Sequence, residues 1–143
     1  MENIEWLLNG NPVIQRLTRK YLLEEDMPYK NDGYIGDYLL LYDPKKHQWG
    51  KGFYSPKWAS THYTMMELVY MEIDGNHPIY QDAFKHLFDN LWTIYHQPKK
   101  QYLDMCIAGM LLQISCHGHI FNDRVYQLLD YIDYDLIKSN PKP

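Results

Sequence analysis

Cysteine is nearly absent: among 143 residues only Cys106 and Cys116 occur. They sit ten positions apart in one apolar, helix-patterned stretch, about 15 Å along a helix axis and beyond the reach of a disulfide. A disulfide-stapled secreted fold is therefore excluded, and free thiols point to the cytoplasm. Long apolar runs are missing too. Nowhere do about 18 consecutive apolar residues occur, so no membrane span is expected. The opening MENIEWLLNGNP has neither the basic start nor the apolar stretch of a signal peptide. Positive charge is scarce, with 14 Lys plus Arg against 18 Asp plus Glu and a net charge of −4. The lysine pairs at 45 and 46 and at 99 and 100 make no basic patch, so nucleic acid is not an expected partner. No glycine-rich phosphate loop, G-x-S-x-G elbow or H-E-x-x-H pair is present. Eight Gly and eight Pro are ordinary numbers and exclude collagen-like and low-complexity chains.

What is abundant is aromatic surface: 14 Tyr, four Trp and four Phe, with seven Met. Such side chains join large apolar bodies to polar or polarizable tips, and they serve equally in a core or around a ligand cavity. With 45% hydrophobic residues, the chain suits a single helical domain over residues 1–143 and leaves little room for two cores.

Proline punctuates the pattern. Asn11-Pro12, Ser55-Pro56, His77-Pro78 and Gln97-Pro98 each precede a run with helical periodicity, and Asn122 looks like the cap of a last one. Examples are Val13, Leu17 and Tyr21 in the first run, Ile79, Ala83, Leu87 and Leu91 in the third, and Val125, Leu128, Leu129 and Ile132 in the last. The segment YIGDYLLLY supplies a further short helix near residue 34. Starts therefore recur about every 22 residues, two per roughly 44-residue period, the rhythm of stacked helical hairpins. The expected class is all-α, with about six helices in hairpin repeats; an irregular bundle is the alternative. Residues 25–33 and 42–55 read as longer loops, where function often sits.

Several residues could carry chemistry. The run ending at His117 is apolar nearly all round and is expected to be the most buried element. Asp104 inside it must then be paired, hydrogen-bonded or protonated, whether as a structural group, a ligand anchor or an acid. Cys106, Cys116, His117 and His119 lack the spacing of a zinc site. No metal or other cofactor is expected, with Asp104 and Cys106 the nearest approach to a ligand pair. The densest aromatic and polar segment is residues 47–63, HQWGKGFYSPKWASTHY. Trp49, Tyr54, Trp58, His62 and Tyr63 could rim a binding pocket, with His62 titrating near neutrality. Equally, they could staple the loop down, with His62 a satisfied core histidine.

Three segments, IEWLLNGNPVIQRLTRKYLLEED, YSPKWASTHYTMMELVYM and LDMCIAGMLLQI, resemble in order the N-terminal half of bacterial proteins related to the squalene cyclase and protein prenyltransferase superfamily. SPKWASTHYT is the more specific of these matches. The resemblance implies an α/α toroid, concentric helical hairpins around a cavity, of which this chain would build about half. It also implies absences: there is no D-x-D-D acid motif, and Asp104-Met105-Cys106 is similar to the prenyltransferase zinc-ligand pair without its distant histidine. His47-Gln48-Trp49-Gly50 resembles part of the cyclase Gln-Trp repeat. A half-toroid leaves an open edge for a second copy or a protein partner to cover. The expected function is binding without catalysis, of an apolar small molecule or a protein partner, with Trp49, Tyr54, Trp58, His62, Tyr63 and Asp104 as candidate contacts. The alternatives are an enzyme of terpenoid-cyclase or prenyltransferase type, with Asp104 as acid or metal ligand, and a HEAT-like scaffold.

Overall fold

The computed structural model describes residues 2–92 and 103–139. Among them are seven helices and no strand: α1 (Glu2–Leu8), α2 (Pro12–Leu22), α3 (Gly33–Leu40), α4 (Thr61–Tyr70), α5 (Pro78–Leu91), α6 (Met105–His117) and α7 (Asp123–Ser139). The all-α class holds, with the short α1 added to the expected set. Contacts run α1 to α2, α2 to α3, α4 to both α5 and α6, α5 to α6, and α6 to α7.

Two of the proline signals begin helices as their chemistry dictates. Asn11 Oδ1 accepts the Val13 N–H at 3.1 Å, and His77 Nδ1 accepts the Ile79 N–H at 3.2 Å. Asn11 does double duty, because the same Oδ1 also accepts the Tyr34 N–H at 3.2 Å, tying the start of α3 to the start of α2. Gly33 makes this approach feasible: its φ is +55°, and a Cβ there would lie 2.3 Å from Asn11 Oδ1. Asn122 caps α7 by accepting from Arg124 and Val125 N–H groups, each at 3.1 Å.

Ser55-Pro56 does not open a helix. The fourth helix starts at Thr61, and its leading N–H groups are taken by the preceding loop: Thr61 donates to Gly52 O at 3.0 Å and His62 to Phe53 O at 2.8 Å. With those donors satisfied by loop carbonyls, a side-chain cap is dispensable. Pro56 instead lies in a turn that passes through Trp58 at φ +68°. The start expected at Gln97-Pro98 lies outside the described residues. Helix α6 begins at Met105, so Asp104 stands at its N-cap position, exposed, and not inside a buried helix.

Nor is α6 the most buried element. That place falls to α4 among the described residues, where Thr61, His62, Thr64, Met65, Met66, Leu68 and Val69 are buried. Against it pack Tyr80, Ala83, Phe84, Leu87 and Phe88 of α5 and Ile107, Ala108, Leu111 and Ile114 of α6, each set at helical spacing. Full burial of each large apolar side chain contributes about 1.5 to 3 kcal/mol. Two of the polar groups inside are matched to backbone: the Tyr80 hydroxyl donates to Ile114 O at 2.8 Å. Arg16, also buried, donates to Lys30 O at 3.1 Å and to Met71 O at 2.6 Å. This pins both the loop at residues 23–32 and the C-terminal end of α4, where a cation complements the helix dipole. Lys20 and Tyr21 reinforce the same corner by hydrogen-bonding Glu72, Lys20 at 2.6 Å. Burial works against ionisation of Glu72, but these two partners hold its carboxyl below the ordinary range.

Candidate functional site

The loop at residues 41–60 is folded onto the core by its own aromatics. Trp49 is 3% exposed. Its indole N–H donates to Tyr38 O at 2.6 Å, its backbone N–H donates to Thr61 Oγ1 at 2.9 Å, and its ring meets that of Tyr42 at 4.7 Å. Two isolated bridges, Asp43 with Gln48 and Gly50 with Ser60, close the loop on itself. Gly50 sits at φ +64° where a Cβ would lie 2.1 Å from Ala59 O, so only glycine lets the two passes of chain touch.

His62 is fully buried on α4. Its Nε2 lies 3.2 Å from Met110 Sδ, its Nδ1 has no hydrogen-bond partner, and burial drives its pKa from 6.5 down to about 4. It is therefore a neutral imidazole near pH 7, in aromatic company: Tyr54 at 5.4 Å and Tyr63 edge-on at 5.2 Å. Tyr63 donates a long 3.4 Å hydrogen bond to the Tyr54 hydroxyl. That bond, with burial and the nearby charges of Cys106 and Asp104, pushes Tyr54 up to about 12. Trp58 is 79% exposed and lies over Tyr63 at 4.8 Å. The structure thus brings Tyr54, Trp58, His62 and Tyr63 together and sets Asp104 and Cys106 within electrostatic reach of Tyr54. Trp49 belongs to a different contact, beneath α3.

A more open feature lies between α3 and α4, a cleft of about 550 Å³. Tyr34, Asp37, Tyr38 and Leu41 face it from the α3 side, at positions i, i+3, i+4 and i+7. Glu67, Tyr70 and Met71 face it from α4 at i, i+3 and i+4. Tyr38 crosses the floor to donate to Glu67, and burial together with that bond raises its pKa to about 12. Tyr34, Leu41 and Tyr70 stand exposed on the walls. Among the described residues, no Lys, Arg or His lines the cleft. None of the six contact residues expected from sequence lines it either. Its signal was the apolar segment YIGDYLLLY, whose i, i+3, i+4, i+7 stripe looks the same whether it faces a core or a groove.

For a metal, the described residues offer one group of three donors, His47, Asp82 and His86, with ligand atoms all within 4.8 Å of one another. Asp104 and Cys106 are not part of it, and both lie exposed at the start of α6. The helices and the cleft together make an all-helical fold with an open, largely apolar, aromatic-walled groove edged by the carboxylates of Asp37 and Glu67. No family model, curated protein or solved structure matches the chain.

Proposed function

We propose that this domain works by binding, without catalysis, and that its ligand is a small organic cation with an apolar body held between α3 and α4. The observation that carries this reading is the cleft lining: three tyrosines, Leu41 and Met71 supply apolar and π surface, two carboxylates supply negative charge, and among the described residues no cationic side chain is part of the lining. Aromatic faces attract a cation through their quadrupole, contributing about 0.5 to 2 kcal/mol according to exposure. Asp37 and Glu67 add charge complementarity at the rim, and the volume suits a small ligand.

The test is calorimetric titration with n-hexylammonium, n-hexanol and n-hexanoate. Ammonium binding about threefold to thirtyfold tighter than the alcohol, with hexanoate weakest, supports the reading. Loss of the preference in both Tyr70→Ala and Glu67→Gln places it in the cleft. Equal affinity for ammonium and alcohol refutes it.

A second reading uses the same face as the contact with a second copy of the chain, and the observation favouring it is the exposure of Leu40 (86%) and Leu41 (70%) beside the cleft. Light scattering across a dilution series, with and without hexylammonium, separates the two. Kinship with the squalene cyclase and prenyltransferase superfamily is likewise a proposal, supported by the sequential pairing of α1 with α2, α2 with α3 and α6 with α7.

A further inference from the structure

On the loop that runs on from Leu41 and on α5, outside the cleft lining, we propose that His47, Asp82 and His86 form a Zn²⁺ site with two imidazoles, one carboxylate and a fourth position open to water. Asp82 and His86 are four apart on α5 and share a face, while His47 reaches them from the tip of the bridged loop. His47 Nδ1 lies 2.8 Å from Asp82 Oδ2, and His86 Nε2 lies 3.6 Å from Asp82 Oδ1. The two imidazoles thus flank the two oxygens of one carboxylate, and one ligand atom from each residue lies within 4.8 Å of the others, against about 3.3 Å between ligands of a tetrahedral zinc ion at ordinary bond lengths. Two imidazoles and one carboxylate with a fourth position open is a donor set that zinc takes.

The surroundings fit a metal site beyond the three donors. Tyr42, buried beneath the loop, donates its hydroxyl to Asp82 Oδ2, the type of outer partner that fixes a ligating carboxylate. His47 stands at φ +55° beside the bridge between Asp43 and Gln48. The His47 and His86 rings stack at 3.9 Å with 17° between planes, partly exposed on their outer side. An ion bound by both must lie near the plane of each ring, so its entry splays the stack, which the half-exposed His47 side chain permits.

The experiment is titration of the full, chelator-treated chain with zinc sulfate by calorimetry and with Co²⁺ by visible absorption. Expected are one ion per chain, the d–d bands of four-coordinate Co²⁺, a raised melting temperature with zinc, and no thiolate-to-metal absorption. His47→Ala and His86→Gln should each weaken zinc at least tenfold, and Tyr42→Phe about tenfold or more, with helicity by circular dichroism unchanged. His47 lies on a loop and Gln is a good helix former, so these variants keep the fold. Absence of zinc binding overturns the assignment. So does wild-type affinity in the His47→Ala/His86→Gln double variant, or thiolate absorption, which would put the ion at Cys106 or Cys116.

Discussion

Acid should destabilise this protein through His62 before it reaches the carboxylates. In the folded chain the ring is buried among Tyr54, Tyr63 and Met110, and its pKa falls to about 4. In the unfolded chain the same ring titrates near 6.5. Between those values the unfolded state binds the proton and the folded state does not, so stability is complete above 6.5 and declines as pH falls toward 4. The full difference is about 3 kcal/mol, and about 2 kcal/mol of it is already lost on going from pH 7 to pH 5. That corresponds to a fall in Tm of roughly 4 to 8 °C. Urea unfolding at pH 7, 6 and 5 of the wild type and of His62→Leu measures it. Leu offers similar bulk and no proton site, so the variant should lack this component of the slope whatever its stability at pH 7. An identical pH dependence in both proteins refutes the argument, as does an NMR titration placing the His62 pKa above 6.

Other perturbations test the scaffold. Arg16→Met removes the donors to Lys30 O and Met71 O and should cost about 3 kcal/mol in chemical unfolding, since hydrogen bonds to a charged group contribute roughly 1.5 to 3 kcal/mol. Gly50→Ala forces a Cβ against Ala59 O at a positive φ; a cost of about 1 to 3 kcal/mol is expected, with protease cleavage faster in the loop at residues 41–60. Tyr80→Phe deletes one buried hydrogen bond to Ile114 O and should lower stability by about 1 kcal/mol without changing the far-ultraviolet dichroism.

Why some of this was readable in the sequence and some was not follows from where each interaction closes. The starts of α2 and α5 were visible because Asn11 and His77 cap N–H groups two residues away. The start of α4 was not, because its donors are taken by Gly52 and Phe53 across the loop, freeing Pro56 for a turn. Asp104 was misplaced for a related reason: the apolar pattern runs on past the point where the helix begins. Of the aromatic segment, His62 and Tyr63 do begin α4, but Trp58 lies in the turn before it and meets Tyr63, a contact that helical spacing does not give, and the burial of Trp49 depends on Tyr38 and Thr61, eleven and twelve residues distant. The cleft stripe of Tyr34, Asp37, Tyr38 and Leu41 is helical in spacing, but which face stays open is decided by α4. Asp82 and His86 are four apart and could be paired by eye; His47, 35 residues from Asp82, joins them only through the folded loop.

The most direct test of the binding account is a ¹H–¹⁵N titration of the labelled chain with n-hexylammonium, run in parallel with n-hexanol. The account predicts saturable shifts concentrated at Tyr34, Asp37, Tyr38, Leu41, Glu67, Tyr70 and Met71, at lower concentration for the ammonium than for the alcohol. Shifts that fail to saturate, that fall elsewhere in the chain, or that are the same for both compounds would contradict it.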